Sequence, residues 1–448
     1  MKFPAYPKYK PSGVEWLGDV PDKWEVKRSD AIVSADRSQL SPEAFADRDV
    51  YHYSIPVVQE TGVGQIENGE SIASAKQVIK KPVVLVSKLN PRKATICLAK
   101  PQAILTLCST EFVALNADKC DLGFLAYLTR SELFRQGLDS KVQSVTRSHQ
   151  RANPADIYKF WNAWPSLNEQ RAIADFLDAQ TTRLDALLSK RRALIEKLKE
   201  KRTALISRSV TRGLNPKAKF KPSGIKWLSD IPAHWKATKA GYYISILSGF
   251  AFPSAGFTHD ESDTRLLRGI NVGVSQIKWD EVVYWSRSDG DGLGAFELKA
   301  GTLVVGMDRP WISEGVRVAI ITEKDLPCLL LQRVTAIKPS KHLCQDYFFR
   351  ILTSPIFVDY FTPDMTGVSV PHISPEQISN FCIPIPPVSE QIAIAEYLDR
   401  ETAKLDQMMA KVEAAIGKLQ EYRTALITAT VTGKIDVRGK VAVTPAKR

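Results

Sequence analysis

No run of apolar residues in this 448-residue chain approaches the ~20 needed to span a bilayer. The opening Met1-Lys2-Phe3-Pro4-Ala5-Tyr6-Pro7 also lacks the apolar region of a signal peptide, so a cytoplasmic location is expected. Cysteine is scarce and unpaired in pattern. Cys97, Cys108, Cys120, Cys328, Cys344 and Cys382 form no CxxC, which argues against a zinc ribbon or a disulfide framework and fits free thiols. The histidines (His52, His149, His234, His259, His342, His372) show no HExxH and no clustered metal-ligand spacing. A GxxxxGK[ST] loop is missing, because Gly433-Lys434 has no glycine at the required earlier position. Gly62/Gly64 and Gly292/Gly294 lack a third glycine and a following helix, so they read as turns. The Asn/Asp-Pro-Pro-Tyr/Phe signature of amino-methyltransferases is absent too: Asn90-Pro91 and Asn153-Pro154 continue with Arg92 and Ala155. These absences leave no catalytic residue, metal or cofactor expected on the chain.

What the chain does have is positive charge and repetition. A net charge of +12 and a pI near 9.2 favour a polyanionic partner, nucleic acid above all. Lys10-Pro11-Ser12-Gly13-Val14-Glu15-Trp16-Leu17 returns as Lys221-Pro222-Ser223-Gly224-Ile225-Lys226-Trp227-Leu228, and each copy is followed by a Pro and a Trp (Pro21, Trp24; Pro232, Trp235). Glu169-Gln170-Arg171-Ala172-Ile173-Ala174 reappears as Glu390-Gln391-Ile392-Ala393-Ile394-Ala395, and Arg202-Thr203-Ala204-Leu205-Ile206 as Arg423-Thr424-Ala425-Leu426-Ile427. The first phrase repeats after 211 residues and the second after 221, so the second insert is ten residues longer. Frames that hold while inserts vary are how scaffolds and recognition loops behave.

Each insert reads as mixed α and β. Val83–Val86 and Phe112–Leu115 look like strands, followed by a helical stretch over 122–138. In the second insert Leu303–Val305, Val316–Ile321 and Val334–Ile337 look like strands, with a helix near Tyr347–Leu352. After each insert Pro165 or Pro386 punctuates the chain, and Ser166 or Ser389 is placed to cap a helix. Apolar positions then recur every seven residues: Leu177, Leu184, Leu198 and Leu205 with Arg191 filling the gap, and Leu398, Leu405, Val412, Leu419 and Leu426. A helix over 168–212 would be roughly 65 Å long at ~1.5 Å per residue. The fold class is therefore α+β: two tandem α+β domains separated by two long helices that pair as an antiparallel coiled coil, with approximate two-fold symmetry. The expected boundaries are 1–165 for the first domain, 166–213 for the central helix, 214–386 for the second domain, 387–436 for the C-terminal helix, and 437–448 for a flexible basic tail. Because duplex DNA has local two-fold axes of its own, two unlike readers in one chain suit a bipartite, asymmetric site.

Basic and polar residues cluster at matching places in the inserts. The first offers Lys88, Asn90, Arg92 and Lys93 after a strand, then Arg147, His149 and Arg151. The second offers Arg309 and Trp311 after a strand, then Ser369 and His372, with Arg265, Arg268 and Asn271 earlier. Arg and Lys suit guanine edges and phosphates, and Asn suits adenine. The bland alternative for any one of them is a solvated loop. Trp16, Trp24, Trp227 and Trp235 fit packing anchors better than stacking platforms. The central helix ends in a basic run from Lys190 to Lys221, opposed only by Glu196 and Glu200, where a solvated face and a contact with phosphates or an acidic partner surface are equally open readings.

The phrases "KPSGVEWLGDVPDKWEV", "LNEQRAIADFLDAQTTRLDAL", "VSEQIAIAEYLDRETAKLDQM" and "RTALITATVTGKIDVR" resemble the conserved regions of type I restriction-modification specificity subunits. The resemblance covers nearly the whole chain in the order variable insert, conserved helix, variable insert, conserved helix. It implies two target-recognition domains, each reading half of a bipartite double-stranded DNA site, and helices that act as a ruler. It also implies two methyltransferase subunits docked on the helices, with restriction subunits as a further addition. S-adenosylmethionine, ATP and magnesium would then sit on those partners and not on this chain. Thr203-Ala204-Leu205-Ile206 occurs once without duplication, so a spacer-length switch of the kind some relatives carry is not expected here. Apolar positions such as Ile173, Phe176, Ile394 and Tyr397 are expected docking contacts. A diverged, self-sufficient nuclease or methyltransferase, and a tandem scaffold for protein or RNA, are the rival readings.

Overall fold

The computed structural model describes residues 3–36, 38–93, 95–141, 143–144, 150–228, 230–313, 315–365 and 371–439, giving only the backbone of Asp36, Arg92, Gln143, Ser144, Asp364 and Met365. The chain divides into two compact units. The first joins Met1–Arg192 to Glu413–Arg448, and the second is Ala193–Val412. The central helix (Leu167–Arg212) and the C-terminal helix (Val388–Val431) therefore each give one end to each unit.

In the first unit a four-stranded antiparallel sheet runs in the order Ile96–Ala99, Val83–Ser87, Phe112–Asn116, Ser34–Asp36. A five-stranded sheet holds one parallel pairing, Thr106–Ser109 with Asp49–Tyr53. The valine-rich run Val83-Val84-Leu85-Val86 is buried throughout because both its faces are covered. Successive side chains point to opposite faces of a strand. Val84 and Val86 thus join Phe124 and Leu128 of the helix Leu122–Arg130, while Val83 and Leu85 join Tyr53 and Cys108 of the other sheet. The helical stretch expected over 122–138 is two helices. Buried Ser131 breaks it and caps the second, Glu132–Asp139, by accepting from Phe134 N.

The second unit repeats this plan. Its antiparallel sheet runs Ile244–Ser248, Val334–Pro339, Leu303–Gly306, Val318–Ile320, which is the first sheet's order read from its opposite edge with each strand replaced by its counterpart. A three-stranded sheet again holds a parallel pair, Thr264–Leu267 with Cys328–Leu330. Leu303 and Val305 face Tyr347 and Phe348 of the helix Gln345–Leu352, and Val304 faces the other sheet. The strand expected at 316–321 is shorter because Gly315–Val316 pairs instead with Trp311–Ile312.

The repeated Glu-Gln pair explains why the frame is stated twice. In the first unit Trp24 Nε1 donates to Glu169 Oε1 at 3.2 Å, and Gln170 reaches both ways: Nε2 donates to Pro165 O (2.8 Å) and Oε1 accepts from Asp121 N (2.7 Å). In the second, Trp235 Nε1 donates to Glu390 Oε2 at 3.1 Å, while Gln391 Nε2 donates to Pro386 O (2.9 Å) and Oε1 accepts from Cys344 N (2.7 Å). Asp121 and Cys344 are the residues that open the insert helices, so each Gln ties the start of a long helix to the start of an insert helix. Trp24 and Trp235 are fully buried anchors, as expected, whereas Trp16 is exposed along one face and leans on Phe160 at 4.7 Å. Ser166 caps the central helix by accepting from Glu169 N (3.4 Å). Ser389 caps nothing: the helix starts at Val388, and Pro387 O takes the first two bonds.

Within each unit the two helix segments run antiparallel. In the first, Glu169 lies by Trp24, against which Gly433 also packs, while Asp185 pairs with Arg423 at 3.0 Å. In the second, Glu390 lies by Trp235 and Gly213, while Arg202 pairs with Asp406 at 3.2 Å. The heptad positions Leu177, Leu184, Leu198, Leu398, Leu405, Val412 and Leu426 are buried. At the gap Arg191 is exposed, and Leu188 and Ile195 carry the apolar seam instead. Ile173, Phe176 and Ile394 correct the docking expectation: they are buried inside their own units, because the same apolar stripe packs on the insert helices. Tyr397 is half-buried against the second core and lines a cavity of ≈ 840 Å³ with Arg208 and Arg212. The order also runs past residue 436, since Val437 is buried and the Arg438 guanidinium sits 4.7 Å from the Tyr6 ring; residues 440–448 of the expected tail lie outside the described residues.

Candidate nucleic-acid interface

Each unit carries one loop that leaves the central strand and is pinned by the same main-chain bonds. In the first unit Lys88 N donates to Glu111 O (2.9 Å), Asn90 N to Gln150 O (2.8 Å), and Ala152 N to Lys88 O (2.8 Å). In the second, Met307 N donates to Arg333 O (2.9 Å), Arg309 N to Pro371 O (2.7 Å), and Ile373 N to Met307 O (2.9 Å). Leu89 bridges to Arg151 as Asp308 bridges to His372. Asn90 and Arg309 share a left-handed backbone (φ 47° and 45°), each before a proline. Such φ values are rare outside glycine and tolerated best by residues like Asn. The loop framework therefore belongs to the fold, while the side chains on it are free to differ.

They do differ. In the first unit Glu111 centres the cluster, with Arg151 Nη2 at 2.5 Å and Lys88 Nζ at 3.9 Å. Burial, partly offset by Glu111, pushes the Lys88 ammonium below the ordinary lysine value. Lys93 is exposed beside them on the turn Pro91–Lys93, which also contains the Arg92 backbone. In the second unit the matching position is Arg333. Its guanidinium lies 3.7 Å from Asp308 and 3.4 Å from His372 Nδ1, and His372 Nδ1 meets Asp308 Oδ1 at 2.7 Å. Arg309 is exposed, and Trp311 is half-buried on the adjoining hairpin. The structure thus joins Lys88 and Arg151 through Glu111, with Asn90 and Lys93 on the same loop, and joins His372 to Asp308 and Arg333, with Arg309 and Trp311 on the residues that follow Asp308. Arg147, His149 and Ser369 lie outside the described residues.

Three expected contacts are used up internally. Arg265 donates to the carbonyls of Lys324 and Leu326 and stacks on Trp279 at 4.9 Å. Arg268 donates to Glu281 O at 2.5 Å. Asn271 is buried and donates to Lys278 O and Glu281 O. Arg268 and Asn271 hold the segment 271–281 in place, and Arg265 stacks on its Trp279, so these donors meet main-chain carbonyls. Asp308, Glu111 and Arg333 were not foreseen. Their hydrogen-bond partners come from 39 to 64 residues away, and no local pattern marks such a meeting.

Two α+β units on shared helices, each with one pinned loop of different side-chain chemistry, define a tandem scaffold. Among the described residues no group of three or more His, Cys, Asp or Glu side chains could hold a metal ion, and no helix is long and apolar enough to cross a membrane. Residues 285–416 match the type I restriction modification DNA specificity domain. The EcoAI specificity subunit of Escherichia coli is 33% identical over 40% of this chain and 29% of its own length. The MjaVIII specificity subunit of Methanocaldococcus jannaschii is 27% identical over 61% of this chain and 62% of its own. The chain thus spans less than two thirds of either relative. A solved chain from a study of assembly and conformational transition of the type I R-M system shares the fold, with a TM-score of 0.72, 17% identity, and coverage of 93% of this chain and 99% of that one. Over these parts of its length the chain is similar to the specificity subunits of type I restriction enzymes.

Proposed function

We propose that each unit reads one half of a bipartite, asymmetric double-stranded DNA site through its pinned loop, and that the paired helices set the gap between the halves. The observation that carries this reading is the loop frame itself: the same hydrogen bonds and the same left-handed residue present a Lys-Glu-Arg cluster in one unit and an Asp-Arg-His cluster in the other. A fixed frame with exchanged side chains is what two different base readers need. The net charge of +12 supports a phosphate-bearing partner. The domains would be 1–165 and 214–386, with 166–213 and 387–436 as spacers, in a cytoplasmic complex. Two methyltransferase subunits would dock on exposed apolar helix positions such as Leu187 and Tyr422 in the first unit and Leu194, Ile392 and Met408 in the second. Restriction subunits would join that complex, and S-adenosylmethionine, ATP and magnesium would be held by the partners.

The test exchanges residues 214–386 for the corresponding insert of another specificity subunit and sequences the methylated bases in host DNA. One half of the motif should change and the other stay. A motif with both halves unchanged would overturn the reading.

A further inference from the structure

The position occupied by Glu111 in the first unit and by Arg333 in the second is the sharpest difference between the two loops. Both residues offer the carbonyl that accepts from the first loop residue, Lys88 N or Met307 N. Their side chains carry opposite charge, and each faces partners of the other sign. Glu111 holds Lys88 and Arg151, whereas Arg333 is held by Asp308 and touches His372. Arg333 also adopts φ 72°, a left-handed backbone that an L-residue with a long side chain rarely takes. More than half of its side chain (58%) is exposed. Arg265, Arg268 and Arg317 of the same unit, by contrast, spend their guanidinium groups on main-chain carbonyls.

Resting on the reading of the two units as DNA readers, we infer that Arg333 is a specificity-determining residue of the second unit, pairing with the major-groove edge of a guanine. A guanidinium fork matches guanine O6 and N7 in two parallel hydrogen bonds. Asp308 is its positioning residue, since one carboxylate oxygen, Oδ1, lies 3.7 Å from Arg333 Nη1 and 2.7 Å from His372 Nδ1. In the first unit Glu111 takes the matching place as the positioning residue for Lys88 and Arg151, so that unit presents its cations from the flanks and an acceptor at the centre.

The experiment selects duplexes from a pool with both half-sites randomised, using the full chain assembled with the host's methyltransferase subunits, and compares wild type with Arg333→Ala, Arg333→Lys and Asp308→Asn. Arg333→Ala should lose a guanine preference at one position of one half-site, by about tenfold or more, with the other half-site unchanged. Arg333→Lys should retain affinity but lose part of that preference, because an ammonium is a point charge without the fork. Asp308→Asn should relax the same position, a readout that mere loss of folding would not give. An unchanged motif would overturn the inference. So would weakening that is uniform across sequences with a shallower salt dependence, since that marks a phosphate contact. If the wild-type complex itself selects no sequence in either half, the DNA-reader interpretation falls first and this inference with it.

Discussion

The two units differ least where they hold themselves together and most where they face outward. Their central sheets share strand order, their long helices start with the same Glu-Gln clamp, and their loops hang from matching main-chain bonds. Yet a carboxylate in one loop stands where the other has a guanidinium. What the difference teaches is that this scaffold specifies backbone and leaves side-chain chemistry to the insert. A backbone hydrogen bond can be made by any residue, so a loop pinned in that way tolerates exchange of charge without losing its shape.

If the units are true equivalents, matched lesions should cost alike. Trp24→Ala and Trp235→Ala each remove a fully buried ring and one hydrogen-bond donor to a partly buried carboxylate. Each should destabilise its unit by about 3–5 kcal/mol. Denaturant unfolding followed by tryptophan fluorescence and by hydrogen exchange of each unit would check this. Losses that differ by more than about half would break the equivalence.

The Gln170→Ala and Gln391→Ala pair comes next. Each leaves a partly buried N–H and a proline carbonyl without its partner, for about 1–3 kcal/mol. Gln391 makes one bond more, to His342 O at 3.1 Å, so its loss should be the larger. Midpoint shifts in urea at constant slope are the measurement, and a larger loss at Gln170 would argue against the clamp as drawn.

Much of the scaffold was legible in the chain. The repeated phrases located both frames, the β-branched runs located the buried central strands, and seven-residue spacing located the helix seam. The site was legible only as places. Arg265, Arg268 and Asn271 looked like readers because polarity in sequence does not say whether a donor meets solvent or a carbonyl. Ile173, Phe176 and Ile394 looked available because periodicity gives the apolar face of a helix but not what covers it. Glu111 and Arg333 went unmarked because each acquires meaning only from strands and loops brought in from distant sequence.

A pH difference would sharpen the comparison. In the middle pair of each parallel ladder, His52 stands opposite Leu107 in the first unit and Leu266 opposite Leu329 in the second. Burial pushes the His52 imidazole below its ordinary value despite Glu67 at 2.8 Å, with Lys76 nearby adding to the depression. The folded state therefore takes up a proton at His52 less readily than the unfolded chain. His52 contributes nothing adverse above the unfolded histidine range, near pH 6.5, and stability is lost as pH falls below it. Glu67, held below the ordinary carboxylate range, adds a second loss at more acidic pH. Hydrogen exchange between about pH 7 and 5 should show the strands around His52 loosening first, with His52→Gln abolishing the difference from the second unit.

The smallest effect tests the helices. Arg423–Asp185 and Arg202–Asp406 are counterpart ion pairs, each with an Asp that is more than half exposed. Exposed pairs are worth about 0.2–1 kcal/mol, and salt screens them. Double-mutant cycles on Arg423/Asp185 and on Arg202/Asp406 should return coupling energies in that range, similar to each other and fading together as salt rises. Arg202 has its Nε buried without a hydrogen-bond partner, whereas Arg423 Nε donates to Asp185. Any inequality should therefore favour the first unit, because the fork that makes arginine a good ion-pair partner is engaged by two hydrogen bonds only there. A stronger coupling in the second unit would mean that the helix pairing follows something other than this geometry.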